Sequence, residues 1–243
     1  MDYLKKTSDA EIKAGTSNLN HDGAKDAETL AHRYRMRRFV EVSNGFRSVW
    51  GDSAMMTRIY PVFSDDHKNA MDSLTWAEKA YGATTNYAYA AAIPHVFRMT
   101  DKTKTGSKDE ILADLRKVSD EDTRNVYIPF IKFAHDQGLK AFVYSGGSET
   151  GNPYNPKAEN LENRIMAERD PGMKEVVEHD IRDNWLALGG DLYIYDTLVS
   201  AYWAGGCHGL TDDIDKLDMP KYQAIQELLQ GGPQILSPCC PKR

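Results

Sequence analysis

Cysteine is scarce and poorly placed for cross-linking: of three, Cys239 and Cys240 are adjacent in a proline-flanked tail and Cys207 stands alone. That is not the spacing of a disulfide framework, and it favours a reducing compartment, with the cytoplasm as the default expectation. No second Cys or His pair stands at zinc-finger distance from Cys207-His208, so this dipeptide reads as a loop. Runs of eighteen apolar residues are absent, as is the apolar core of a signal peptide in Met1–Ala10. The expectation is a soluble chain without membrane insertion or an export signal. A net charge of −6 leaves no electrostatic footprint for nucleic acid. Arg33–Arg38 is a local basic cluster and reads as a solvated helix end. Gly146-Gly147 and Gly205-Gly206 lack a phosphate-loop lysine and the Gly-x-Gly-x-x-Gly pattern, which argues against nucleotide binding. Asp212, Asp213, Asp215 and Asp218 lack the glycine and closing glutamate of an EF-hand and read as a solvated acidic loop. Neither a cofactor nor a metal site follows from these features.

What is present suits one α/β domain: 243 residues, 41% hydrophobic and 27% charged, enough to bury a sizeable core. Residues Met1–Gly23 are polar and without clear periodicity, a segment outside the domain. Ala27, Leu30, Ala31 and Tyr34 recur at helical spacing within Ala24–Met36. Arg38–Asn44 is short, β-branched and aromatic and runs into Ser-Asn-Gly, the signature of a first strand. Met55–Ser64 reads as a second strand, with Pro61 weakening a central position. His67–Tyr81 is a helix stopped by Gly82. Tyr87–Val96 reads as a strand despite its alanines. Ser107–Val118 is a helix opened by Ser-Lys-Asp-Glu, and a further helix runs from about Asp120 to Gln137, bent by Pro129. Leu139–Tyr144 is a strand leading into Gly146-Gly147. Asn160–Ala187 is helical in two pieces divided near Pro171, Asp191–Val199 is the final strand, and Lys221–Leu229 the last helix. The domain spans 24–230, and the Pro/Gly-rich 231–243 is a tail. The crossovers between strands are long enough to return each parallel to the one before.

Three motifs carry a family resemblance. Phe39-Val-Glu-Val-Ser-Asn-Gly-Phe46 resembles the fourth-strand motif of clan A glycoside hydrolases and related cellulose-binding-like β/α barrels. Tyr144-Ser-Gly-Gly147 resembles their seventh-strand Tyr-Glu-Gly-Gly, and Gly189-Gly-Asp-Leu-Tyr-Ile-Tyr195 resembles their eighth strand. The resemblance covers about Ala27 to Leu229 and implies a parallel β/α (TIM-type) barrel, here partial, with five strands corresponding to strands four to eight.

In that family the fourth-strand glutamate is the general acid/base and the seventh-strand glutamate the nucleophile, roughly 5 Å apart. Here those positions are Gly45 and Ser145, so the resemblance implies a retaining mechanism that this chain lacks the groups to perform. Glu149, just past the glycine pair, is the one substitute carboxylate within reach, against a plain reading as a solvated loop residue. Glu41 lies about 13 Å down the strand from Gly45 and reads as a buried partner of an arginine inside the barrel. Ser145 lacks a Gly-x-Ser-x-Gly elbow. Asn44, His95, Tyr144, Tyr202 and Trp203 fall at or after the ends of strands, where flat rings and hydrogen-bonding groups could hold a sugar.

The expectation is therefore a catalytically disabled barrel portion acting as a binding or assembly subunit with residual carbohydrate affinity. Two alternatives stand beside it: an active glycoside hydrolase using Glu149 or a carboxylate from a partner chain, and a purely structural subunit of a complex. Five strands leave sheet edges open, so a protein partner or self-association is expected to complete the barrel.

Overall fold

The computed structural model describes residues 2–14, 18–150, 159–200 and 207–231. Tyr202, Trp203, Gly205-Gly206 and the cysteines of the tail lie outside them. Helices α1 (Asp2–Lys13), α2 (Ala27–Trp50), α3 (His67–Tyr81), α4 (Lys108–Asp122), α5 (Ile128–Asp136), α6 (Leu161–Glu168), α7 (Pro171–Glu178) and α8 (Pro220–Gly231) alternate with strands β1 (Val62–Ser64), β2 (Ala90–Arg98), β3 (Lys140–Glu149) and β4 (Leu192–Tyr195). The strands form one parallel sheet in the order β1-β2-β3-β4. Val62, Phe63 and Ser64 pair with Ala90, Ala91 and Ala92. The class is mixed α/β, as expected from the alternation of elements. Two compact units divide the chain, Met1–Ile93 with Lys132–Phe142 and Pro94–Ile131 with Val143–Arg243.

In the first unit the largest departure from the sequence reading is α2. Asp26 caps it, its carboxylate accepting the Thr29 N–H at 2.7 Å, and it runs without interruption to Gly51, whose φ of 82° ends it. Arg38–Asn44 is therefore helical and contributes no strand. The buried residues Leu30, Arg33, Met36, Val40 and Ser43 follow a three-to-four spacing, whereas a strand would bury every second residue. Phe and Val cost a helix only about 0.7 kcal/mol each relative to Ala. Breaking and renucleating a helix costs more than carrying these residues inside one already formed.

The same helix corrects three further expectations. Asn44 and Gly45 lie on its exposed surface instead of at a strand end. Glu41 is exposed and pairs with Arg38 one turn away, so it is no buried barrel carboxylate. Arg33–Arg38 is not a solvated helix end: Arg33 is 4% exposed. Its guanidinium donates to both oxygens of Asp72 (3.0 and 3.1 Å), to Asp22 (2.8 Å) and to the Leu19 carbonyl (3.1 Å), tying α2 to α3 and to the turn before α2. Arg33 in turn holds the Asp22 carboxyl down, to about 2. The polar N-terminal segment forms α1, which packs on α2 through the Arg37–Glu11 pair.

Met55–Ser64 is extended only at its end, as β1. Pro61 sits just before β1, where its missing N–H costs nothing and its carbonyl accepts the Tyr89 N–H at 2.7 Å. Asp66 caps α3 and Gly82, at φ 83°, closes it.

In the second unit Ser107 and Glu110 form the capping box that the sequence announces for α4. A π-helical turn, Thr123–Tyr127, runs from α4 into α5 with helical dihedrals at both junctions, so Pro129 stands inside one continuous helical run, and the helix widens just ahead of the proline's missing N–H. Asp170 caps α7 with Pro171 in its first turn. Phe97, Ile111, Leu115, Met173, Val176 and Val177 make the core here, with Tyr193 and Tyr195 packed against it. Among the described residues no helix is long and apolar enough to cross a membrane.

Gly45 meets nothing within 4 Å of an added methyl and has no unusual φ. Gly45→Ala should therefore raise stability by about 0.5–1 kcal/mol, read as a higher urea midpoint at low protein concentration. A loss of stability would contradict its place in α2.

Candidate functional site

The two motifs that do fall on strands meet each other. A methyl on Gly146 would stand 2.5 Å from the Tyr193 ring, and one on Gly147 would stand 2.6 Å from the Tyr195 ring. Gly147 also has φ 132°, which other residues rarely adopt. The glycine pair of β3 is thus the seat for two tyrosines of β4. Tyr193 donates to Asp180 at 2.9 Å, and the Tyr195 hydroxyl lies 3.4 Å from Ser148 Oγ. Burial pushes both phenols above their ordinary range, so neither ionises at neutral pH. Gly190 plays the same part for Trp185, whose indole N–H reaches the Leu192 carbonyl at 3.2 Å.

Polar side chains gather at the carboxyl ends of β2, β3 and β4. Arg98 ends β2, Glu149 ends β3 and Asp196 follows β4. Glu149 is 2% exposed, paired with the largely exposed Arg98 and 3.6 Å from His208 Nε2. Ser145 Oγ donates to Asp196 Oδ2 at 3.0 Å, while the Asp196 N–H donates to the Gly146 carbonyl at 2.9 Å. Desolvation lowers the His208 pKa below its ordinary value; Glu149 and Asp196 oppose that shift, and Lys221 and Arg98 add to it. His208 is therefore a neutral imidazole at pH 7, able to donate from one nitrogen and accept at the other.

A buried ion pair fixes His208 in place. Lys221 of α8 and Glu168 of α6 are both fully buried and stand 2.7 Å apart. Thr150, just beyond β3, donates to the other Glu168 oxygen at 2.8 Å, and Lys221 donates to the Cys207 carbonyl at 2.7 Å. Burial pushes the Glu168 carboxyl up, with Lys221 and Thr150 pulling it back. The Cys207 thiol, buried beside this pair, is pushed up to about 12 and stays protonated.

The residues singled out from the sequence scatter. Glu149 is a buried strand-end group instead of a solvated loop residue, and Ser145 lies within β3, four residues before it, bonded to Asp196. Tyr144 precedes Ser145 and is 41% exposed. His95 is 5% exposed, packs edge-on to Tyr127 and stands 3.2 Å from Asp180, which also accepts from Ser119 at 2.6 Å. Asn44 and Gly45 sit on α2, away from any strand. Asp212, in the acidic run, is 6% exposed and paired with Arg169. Sequence reasoning missed Arg98, Asp196 and the role of His208. Each stands at or beyond a strand end, and a strand boundary placed two residues further on would have exposed Arg98.

Removing Lys221 while leaving Glu168 in place strands a charge out of water. Lys221→Met should destabilise by about 3–5 kcal/mol, and adding Glu168→Gln should recover a large part. Chemical denaturation of the two single variants and the double variant measures this; additive losses would show the pair uncoupled.

The chain matches no protein-family model, no curated protein and no solved structure.

Proposed function

We propose that this chain is part of a parallel β/α barrel of the glycoside hydrolase type, and that its strand-end cluster binds a hydroxyl-rich ligand of the carbohydrate class without cleaving it by the two-glutamate route. The observation that carries the reading is that Arg98 and Glu149, which end two neighbouring parallel strands, meet His208, with Asp196, directly after β4, held by Ser145 from within β3; the carboxyl ends of strands are where β/α barrels hold their ligands. The strand order supports it as well: it rises from β1 to β4 without reversal, as around a barrel, whereas doubly wound sheets reverse at a switch point. Carboxylates and a neutral imidazole accept from sugar hydroxyls, Arg98 donates to their oxygens, and the exposed Tyr144 ring offers a flat face.

Gly45, on a helix, and Ser145 leave both family glutamate positions without a carboxylate. The second reading, hydrolysis through Glu149, is favoured by Asp196 and Glu149 standing in one cluster, since such chemistry needs two carboxyl groups. Calorimetric titration with cello-, xylo- and manno-oligosaccharides, together with a reducing-sugar assay, separates the readings. Binding without turnover, lost in Arg98→Ala and in Glu149→Gln, is the expected result. Turnover abolished in Glu149→Gln would establish hydrolysis instead, and neither binding nor turnover would overturn both.

Assembly has its own support. In the first unit Val42, Phe46, Val49 and Trp50 form an exposed apolar row on α2. Phe46 and Trp50 line a groove of about 670 Å³ with Ala54 and Ile59. This row lies on the helix leading to β1, which takes one end of the strand order, while β4 at the other end exposes Leu192 and Ile194. A second copy is the occupant that fits, because two sets of four parallel strands supply the eight that close such a barrel. Light scattering should give a dimer that Phe46→Glu with Trp50→Glu converts to monomer; a wild-type monomer at high concentration would refute it.

A further inference from the structure

The second unit buries an arginine that no anion meets. Arg164 of α6 is 5% exposed, about as deep as Arg33 in the first unit. The two differ in what surrounds the guanidinium. Arg33 donates to two aspartates and a carbonyl at 2.8 to 3.1 Å. Arg164 makes one contact, from Nη2 to the Lys104 carbonyl at 3.5 Å, and its Nε is buried without a hydrogen-bond partner. Among the described residues no carboxylate forms an ion pair with it. Buried charges are ordinarily paired, because an ion taken out of water without a counter-ion is strongly destabilised. Burial accordingly pulls the Arg164 pKa below its ordinary value, and Cys207 and the exposed Glu159 offset that only in part.

Arg164 stands where the segments following three strands come together. Lys104 lies on the loop after β2, Thr150 directly follows β3 and reaches the Arg164 carbonyl at 3.5 Å, and Cys207 lies beyond β4. The charges that act on the Cys207 thiol are those of Glu168, Lys221 and Arg164. Lys221 and Glu168 answer each other at 2.7 Å, so one positive charge is left over. The loop against the guanidinium is pinned on both sides: Asp114 accepts from the Thr100 N–H and the Thr103 hydroxyl, each at 2.6 Å, and Asn160 Nδ2 donates to the Gly106 carbonyl at 2.6 Å. Between the pins Lys104 and Thr105 are exposed.

We propose that Arg164 is the binding site for the carboxylate of an acidic small-molecule ligand. A guanidinium fork matches a carboxylate with two parallel N–H···O bonds. The edge formed by Nε and Nη2 is the one left without a close partner, and moving the Lys104 carbonyl aside offers both N–H groups to the ligand. A carboxylate brings the single negative charge that balances the cluster, whereas a phosphate monoester brings about two. That the acid is a sugar acid rests on the carbohydrate reading above; the site itself does not.

Thermal unfolding of the full chain at equal ionic strength in sodium chloride, acetate, D-glucuronate and phosphate tests the site. Acetate should raise the melting temperature above that in chloride. Glucuronate should raise it further where the ligand is a sugar acid; a response to acetate without that gain supports the site and counts against the sugar. A larger response to phosphate than to either carboxylate would overturn the choice of ligand. Arg164→Met removes a charge that has no partner, so it should melt no lower than the wild type in chloride and should lose the response to acetate. A marked drop in chloride would show the guanidinium already satisfied and overturn the proposal. Arg164→Lys keeps the charge without the fork and should weaken the apparent affinity for acetate at least about tenfold, the scale of one charge-assisted hydrogen bond; where Arg164→Met fails to fold, this variant decides. No response to acetate in the wild type, or an equal response in the variants, would sink the assignment.

Discussion

Lys221 and Glu168 carry opposite charges where no water reaches them, and the second unit's strand ends are arranged around that constraint. Desolvating two such ions costs several kcal/mol each, and their attraction offsets this only where geometry is good and the remaining donors and acceptors find partners. Here Thr150 serves one Glu168 oxygen and the Cys207 carbonyl serves the ammonium, while Glu168 Oε2 faces the ammonium at 2.7 Å. The pair therefore joins α6, α8, the residue after β3 and the turn carrying His208. Arg33 plays a comparable part in the first unit, with Asp22, Asp72 and a carbonyl around one guanidinium. In both units a long cationic side chain, nearly or wholly out of water, ties helices to loops whose own sequences carry little apolar surface.

Elements whose ends are marked by local chemistry were legible in the sequence. Ser107 with Glu110, Gly82 after α3 and Pro171 opening α7 act within one turn of themselves, and the structure has those boundaries. Arg38–Asn44 was illegible for a physical reason. Phe-Val-Glu-Val has the composition of a strand, but strand or helix there depends on whether the helix begun at Asp26 is stopped, and nothing stops it before Gly51. A window of seven residues does not contain that information. The π-helical turn at Thr123–Tyr127, just ahead of Pro129, was equally hidden: the proline marks a missing backbone N–H, and the sequence does not say whether the helix breaks, bends or widens there.

The candidate site was partly legible. Glu149 and Ser145 were visible because a motif drew attention to β3, whereas Arg98, Asp196 and His208 come from three other stretches of chain and are brought together by the parallel sheet. His95 shows the opposite case: a histidine near a strand end that faces the helices and satisfies a buried aspartate. Period-two alternation decides which it is, and the register of β2 cannot be set from its run of alanines, which offers no polar side to mark the open face.

The glycine pair of β3 puts unequal pressures on adjacent positions. At 145 the serine hydroxyl reaches Asp196, directly after β4. At 146 and 147 the smallest side chain would collide with a tyrosine ring. Over generations, substitution at 145 would be filtered by what the site does, and substitution at 146 and 147 by whether the sheet closes over its core. A short motif that joins both kinds of position can thus outlast the chemistry associated with it, because two of its residues answer to packing alone.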